Sequence, residues 1–208
     1  MRTTIYVDGF NLYYGCLKNT NYKWLNLQVL FTDILQSHHQ IDKIKYFTAD
    51  VKQLRHDPTD PNRQKAYLNA LKTIQHLEFY KGNFTVHTKR MANANPPPNT
   101  CEVVKTEEKG TDVNFSVHLL NDAWLDTYDC AVLVTNDSDM KEAMKLVKAN
   151  FRQKKLGLIS PGSSHTGSLK RYADFTLKIN EANLRNAQFP NPVTYQSSDK
   201  IYKPKEWR

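Results

Sequence analysis

Short apolar runs alternate along the chain with longer segments in which apolar residues recur at the spacing of a helix. The short runs predict strands at residues 4–7, 43–48, 78–87, 101–105, 130–134, 156–159 and 175–179. The longer segments predict helices at 11–17, 25–35, 61–74, 110–124 and 137–149. This alternation is typical of an α/β fold, in which a mainly parallel sheet is covered by helices on both faces.

Two of these segments carry a strong pattern. In the helix predicted at 110–124, the spacing of the apolar side chains predicts the face that packs on the sheet; these residues are Val113, Val117, Leu120 and Trp124. The run C-A-V-L-V at 130–134 has no polar residue, which predicts a central strand buried on both sides.

Loop signals and a change of pattern near the end divide the chain. The stretch N-A-N-P-P-P-N at 93–99 cannot be regular structure, because proline fixes φ and lacks an amide donor. The small residues at 160–168 predict a second loop. After Phe189 the periodicity fades, while Lys200, Lys203 and Lys205 make the end basic. We therefore predict one domain over residues 1–182 and a basic C-terminal tail over 183–208.

The charge balance narrows the kinds of partner. The 208 residues carry a net charge of +8, which favours a polyanion, either nucleic acid or an anionic membrane surface. A basic protein without such a partner is equally compatible with the charge alone. The three cysteines form no C-x-x-C pair, which argues against a zinc knuckle or a disulfide framework. Without a membrane-spanning apolar stretch or a signal peptide, we expect a cytoplasmic protein with no membrane association; self-association into a homo-oligomer is left open.

Acidic residues follow two of the predicted strands and open the helix at 110–124. Asp8 ends the first apolar run, Asp137 and Asp139 follow C-A-V-L-V, and Asp112 lies in the first turn of that helix. Each acid alone has a local explanation as a helix cap, a turn residue or a partner of the helix dipole. Neighbouring parallel strands, however, present their carboxyl ends at one edge of the sheet, so all four acids are expected to meet there.

Clustered carboxylates repel each other unless a cation neutralises them, and their hard oxygen ligands suit Mg²⁺ or Mn²⁺. Such a cation activates water and stabilises charge on a phosphoryl oxygen, so with a basic surface a phosphodiester is the expected substrate. Polar residues beside the acids in the sequence are candidates for substrate binding, with caps and solvated side chains as the alternatives: Asn11, Lys109, Thr135, Asn136 and Ser138.

Further residues suit nucleic acid but also have ordinary structural explanations. Lys141, Lys145 and Lys148 share a helix face, which is either a nucleic-acid track or a solvated surface. Aromatic residues near the first acid are able to stack on bases or to pack in the core; they are Tyr13, Tyr14, Tyr22 and Trp24.

Three segments together resemble the NYN domain family, which is PIN-like: I-Y-V-D-G-F-N-L-Y-Y-G at 5–15, E-K-G-T-D-V-N at 108–114 and V-L-V-T-N-D-S-D-M at 132–140. The resemblance covers about residues 3–180. It implies a Rossmann-like parallel sheet and a ribonuclease that depends on Mg²⁺ or Mn²⁺, with RNA as partner. By matching motif positions it implies that Asp8, Asp112 and Asp137 bind the metal and that Asp139 assists. Relatives often carry another acid where this chain has His118, which is a poor magnesium ligand.

The residues and the resemblance lead to three functional hypotheses. The first is a metal-dependent ribonuclease that hydrolyses RNA phosphodiester bonds endonucleolytically, with Asp8, Asp112, Asp137 and Asp139 as catalytic residues. The second is an RNA-binding or regulatory module that keeps the fold without catalysis. The third is a phosphatase-like hydrolase. The motif D-G-F-N argues against it, because an aspartyl-phosphate enzyme is expected to carry a second acid two residues after the first, and this chain has none two residues after Asp8.

Overall fold

A computed structural model describes residues 1–53, 60–162, 167–195 and 199–207. Its strands are β1 Arg2–Asp8, β2 Gln40–Thr48, β3 Leu77–Lys81, β4 Asn83–Ala92, β5 Thr100–Lys109, β6 Cys130–Val134, β7 Lys155–Ser160, β8 Phe175–Lys178, β9 Val193–Tyr195 and β10 Asp199–Ile201. Its α-helices are α1 Gly9–Leu12, α2 Leu27–Ile34, α3 Asp60–Leu71, α4 Thr111–Trp124, α5 Lys141–Asn150, α6 Gly167–Lys170 and α7 Glu181–Asn186. Among the described helices, none combines the length and the apolar character that crossing a bilayer requires.

The central sheet is parallel, which confirms the predicted α/β fold. Within the described chain its strands lie in the order β3-β2-β1-β6-β7-β8, which is the Rossmann order when these strands are numbered along the sequence. The order reverses between β1 and β6, which pair directly from Thr3↔Cys130 to Val7↔Val134. In open α/β sheets this reversal is where a crevice forms at the carboxyl edge.

Apolar side chains pack on both faces of the sheet. On one face, Ile5 and Val7 of β1 contact the layer made by α2, α3 and α7. On the other face, Tyr6 of β1 and Phe47 of β2 pack with Phe115 of α4 and with α5. The alternation of side chains along β1 explains the division, because successive residues of a strand point to opposite faces.

The apolar face predicted for α4 is wrong. Val113, Val117 and Trp124 are 65%, 56% and 78% exposed, whereas a second stripe of Phe115, Leu119 and Ala123 is buried against the sheet. Both stripes have helical spacing, so the sequence pattern alone does not choose between them. The structure buries the stripe that carries Phe115, whose ring packs against Phe47 with centroids 4.8 Å apart.

The extended segment predicted at 78–87 is divided at Gly82 into the end of β3 and the start of β4. Strands β4 and β5 pair antiparallel from Asn83↔Lys109 to Ala92↔Thr100 and form a separate two-stranded sheet, which we call the hairpin arm. Most residues of β4 are exposed, so the arm leaves the central sheet. The proline-rich stretch at 93–99 connects its strands, as predicted; of the loop predicted at 160–168, residues 163–166 lie outside the described part.

The predicted helices at 11–17 and 137–149 are each broken near their start. Helix α1 continues into a π-helical turn at Tyr13–Leu17, and a 3₁₀ turn at Ser138–Met140 precedes α5. These interruptions lie directly after β1 and β6, where the chain leaves the sheet at its carboxyl edge.

Five described residues of the segment predicted to be a tail are buried in the core on one face of the sheet; they are Leu184, Ala187, Phe189, Val193 and Trp207. Helix α7, the pair β9–β10 and a final 3₁₀ turn at Lys205–Trp207 follow one another here. The Trp24 ring packs edgewise against Phe189 and Trp207, with centroids 5.9 and 6.3 Å apart. These apolar residues are too scattered in the sequence to show a period. The division of the chain at residue 182 stays a prediction.

Candidate metal centre

Asp8 is the last residue of β1, and its carboxylate caps the N-terminus of α1. Its side chain accepts hydrogen bonds from the Asn11 backbone amide at 2.9 Å, the Asn11 side-chain amide at 2.6 Å and the Thr135 hydroxyl at 3.3 Å. These bonds take three of the roughly four lone-pair positions of a carboxylate, which leaves one. The next residue, Gly9, permits the close turn into α1, because a Cβ there would lie 2.7 Å from the Tyr46 ring.

The segment after β6 brings a second acid to the same edge. The Thr135 hydroxyl, which donates to Asp8, accepts from the Asp137 amide at 3.0 Å. The Asp137 carboxylate then accepts from the Asp139 amide at 2.9 Å and caps the 3₁₀ turn. Asp137 therefore caps the 3₁₀ turn and at the same time belongs to the acidic cluster.

Asparagine side chains fix the two strand ends relative to each other. The Asn11 side-chain oxygen accepts from the Asn136 backbone amide at 3.2 Å. The Asn136 side chain donates to the Pro161 carbonyl at 2.5 Å and accepts from the Ser160 hydroxyl at 2.6 Å. These contacts make Asn11 and Asn136 positioning residues at the edge of the sheet.

Asp112 reaches the cluster from the base of the hairpin arm. Gly110 follows β5 with φ +89°, a left-handed conformation that favours glycine, and turns the chain into α4. The Glu108 carboxylate accepts from the amide and the hydroxyl of Thr111 and so holds the first turn. In the described chain, Asp112, Asp137 and Asp139 each offer a carboxylate oxygen within 4.8 Å of the others.

The clustering is electrostatically unfavourable for the carboxylates alone. Burial, followed by the charges of Asp137 and Asp8, raises the pKa of Asp112 to about 6. Burial also raises the pKa of Asp8, although the hydrogen bonds from Asn11 oppose the rise. Glu108, which the sequence analysis did not single out, adds negative charge near Asp112. Hard oxygen donors at this spacing fit Mg²⁺ or Mn²⁺.

The other candidates are placed differently. Thr135 is fully buried and forms the hydrogen bonds with Asp8 and Asp137 described above, whereas Ser138 is exposed beside Asp137. The Lys109 ammonium contacts Glu107 on its own strand at 3.2 Å. The His118 ring packs on Tyr80, with centroids 3.9 Å apart, so a packing role accounts for it.

The lysine track predicted on α5 is partly neutralised. The Lys145 ammonium lies 3.3 Å from Glu142 and the Lys148 ammonium lies 2.9 Å from Asp174. The solvated-face alternative therefore fits these two lysines better than a row of free charges.

An aromatic cleft opens beside Asp8, and two of its rings, Tyr13 and Tyr14, are among the stacking candidates of the sequence analysis. It begins at Gly9 and is lined by aromatic rings from four parts of the described chain; the rings are Phe10, Tyr13, Tyr14, Tyr46, Tyr67 and Trp207. Of the other predicted stacking residues, Trp24 is buried in the core and the Tyr22 hydroxyl donates to Glu181 at 2.9 Å. The aromatic residues after Asp8 thus divide between core and cleft.

The repulsion in the cluster gives a prediction for the protein in EDTA. Asp112→Asn is expected to raise the free energy of unfolding by about 1 kcal/mol, or roughly 2–4 °C in Tm. Since the folded-state pKa of Asp112 is raised, its ionisation costs stability as the pH rises from 3.8 to about 6. The gain should therefore be full above pH 6 and vanish towards pH 4. Thermal melts of the variant and the wild type at pH 4 and 7 measure it, and an equal Tm difference between the two proteins at both pH values would contradict it.

Comparison with known proteins identifies the family. The chain matches the NYN domain over residues 2–180, so it belongs to the NYN domain family, as its sequence motifs predicted. It is also 30% identical over 238 aligned residues to 6-hydroxy-3-succinoylpyridine 3-monooxygenase HspA of Pseudomonas putida (strain DSM 28022 / S16). That alignment covers 100% of this chain and 75% of the monooxygenase.

A solved structure supports the fold. The crystal structure of a protein of unknown function from Vibrio parahaemolyticus RIMD 2210633 superposes with a TM-score of 0.54 at 15% identity. The match covers 86% of this chain and 93% of that one. At this identity the likeness concerns the fold alone.

Proposed function

We propose that the protein is a ribonuclease that hydrolyses RNA phosphodiester bonds endonucleolytically with Mg²⁺ or Mn²⁺. The observation that carries the proposal is the approach of Asp112, Asp137 and Asp139 to within 4.8 Å at the carboxyl edge of the sheet. Membership of the NYN domain family and the net charge of +8 agree with an RNA substrate.

The residues of the site have separate roles in this proposal. Asp112 and Asp137 hold the cation, Asp8 offers its remaining lone pair, and Asp139 orients water or binds a second cation. When bound, the cation lowers the pKa of water and offsets negative charge on a phosphoryl oxygen. Asn11 and Asn136 keep the acids in place, and the Ser138 hydroxyl and the Lys109 ammonium contact the substrate.

The direct test is cleavage of an end-labelled single-stranded RNA by the purified protein with Mn²⁺ or Mg²⁺. Internal cuts that stop in EDTA and return with excess metal are the expected result. Thermal melts give a second readout, since a ligand bound to the folded state raises Tm by mass action; Mn²⁺ should raise the Tm of the wild type and not that of Asp112→Asn. RNA binding without cuts at any metal concentration would instead support a regulatory module.

A second candidate function is hydroxylation of a pyridine ring. The similarity to 6-hydroxy-3-succinoylpyridine 3-monooxygenase extends over 100% of this chain, and the aromatic cleft is suited to a planar ring. A monooxygenase transfers one oxygen atom of O₂ to its substrate and reduces the other to water, so the reaction consumes O₂ and electrons from a reductant such as NADH. Incubation with 6-hydroxy-3-succinoylpyridine, NADH and air tests it. Product formation without RNA cleavage would favour this candidate.

A further inference from the structure

The aromatic cleft begins one residue after Asp8. Gly9 and Phe10 form its end nearest the acidic cluster, and Tyr46 of β2 lies against Gly9. Burial, followed by the Asp8 charge, raises the pKa of Tyr46, so its hydroxyl stays neutral at physiological pH. Since Gly9 directly follows Asp8 in the chain, a nucleotide with its base in the cleft would have its phosphate near the Asp8 end of the acidic cluster.

The walls of the cleft are held in place by the core. The Tyr67 hydroxyl donates to the Leu25 carbonyl at 2.9 Å, and the Trp207 ring packs edgewise against Tyr67 with centroids 6.0 Å apart. Both side chains are buried, at 7% and 8% exposure. By contrast Tyr14, on the outer side, is 61% exposed. The cleft thus has a rigid inner wall and an accessible outer ring.

Two charged side chains, Lys23 and Asp60, line the cleft beside the aromatic rings. The Asp60 carboxylate is paired with Arg63 at 3.2 Å, whereas the Lys23 ammonium donates to the Thr20 carbonyl. Lys23 is therefore the cation available to a phosphate at this side. Rigid aromatic walls beside a lysine match a nucleotide, in which a flat base is joined to phosphate.

We propose that this cleft receives one unpaired base of the RNA substrate, so that the adjoining phosphodiester lies at Asp8, Asp112 and Asp137. The inference rests on the proposed ribonuclease function and gives its substrate class: single-stranded RNA or unpaired loops. A base within a duplex is stacked and paired, and its rings are not available to the cleft.

Cleavage kinetics test the inference with variants at the accessible positions. Tyr14→Ala and Lys23→Gln are expected to raise KM for single-stranded RNA about tenfold or more, with a smaller change in kcat. Trp124→Ala is the matched control, because it removes a ring that is 78% exposed on α4, outside the cleft. An RNA with one abasic ribose should lose its cuts at that nucleotide in the wild type. Unchanged KM in both variants together with normal cuts at the abasic site would overturn the inference.

A binding assay separates failure of the cleft from failure of catalysis. In Asp137→Asn, the fluorescence of a 2-aminopurine base in single-stranded RNA should be quenched on binding, and less so when Tyr14→Ala is added. Quenching that depends on Tyr14 supports base binding even if the wild type cuts no RNA, in which case only the ribonuclease proposal fails. No quenching, or displacement of the base by 6-hydroxy-3-succinoylpyridine as the tighter ligand, overturns the inference.

Discussion

Asp137→Asn is expected to cleave RNA on the order of 10³-fold more slowly than the wild type. The change removes one negative charge from the cluster of Asp112, Asp137 and Asp139 and so weakens cation binding; a loss of several kcal/mol of transition-state stabilisation corresponds to this factor. An asparagine oxygen is still able to accept the Asp139 amide, so the 3₁₀ turn should persist. The rate is measured on end-labelled RNA over a range of Mn²⁺ concentrations, and the factor is taken at the lowest concentration that gives the wild type its full rate.

Glu142→Gln is the matched control for this variant. Glu142 lies on the adjacent helix α5, is exposed, and pairs only on the surface with Lys145. Its removal should leave the cleavage rate within about twofold of the wild type, since surface ion pairs contribute little. If Asp137→Asn is as active as Glu142→Gln, the acidic cluster is not the centre of the reaction.

Asp122→Ala is expected to lower the free energy of unfolding by about 3–5 kcal/mol, which is close to a complete loss for a marginally stable chain. The Asp122 carboxylate lies 2.5 Å from the Lys45 ammonium and accepts a 2.5 Å hydrogen bond from the Tyr6 hydroxyl. The Lys45 and Asp122 side chains are only 6% and 8% exposed, so the truncation leaves a buried cation unpaired. Urea unfolding measures the loss.

A double variant distinguishes this explanation from simple loss of packing. Lys45→Met combined with Asp122→Leu removes both charges and should recover much of the stability, because burying two apolar groups avoids the cost of desolvating an ion pair. Glu142→Gln again serves as control, with an expected change below about 1 kcal/mol. A double variant as unstable as Asp122→Ala would show that the unpaired charge is not the cause.

The sheet was predictable because its strands are locally marked. β6 and β7 are apolar nearly throughout, and a strand that is buried on both faces is recognised from its own residues, without knowledge of the strands beside it. The face of α4 was not predictable, since Phe115 and Val113 belong to two stripes with the same helical spacing. The choice depends on rings contributed by β1 and β2, which are distant in the sequence.

The candidate site was likewise predictable only in part. Asp8 and Asp137 follow apolar strands and could be found from that position alone, and the pairing of β1 with β6 places them together. Only Tyr13 and Tyr14 of the cleft could be singled out, because Tyr46, Tyr67 and Trp207 are brought to them by tertiary packing. The buried pair of Lys45 and Asp122 was missed for a related reason: charged residues in a strand and a helix predict exposure until their partner is known.

The acids of the cluster are attached to two different supports. Asp137 and Asp139 share one short turn after β6, so their spacing is set locally. Asp112 instead follows the hairpin arm through Gly110, and it lies three residues after Lys109, which forms the last pair of the antiparallel ladder. The position of one oxygen donor therefore depends on the packing of α4 against the sheet, whereas the spacing of the other two is set within a single turn.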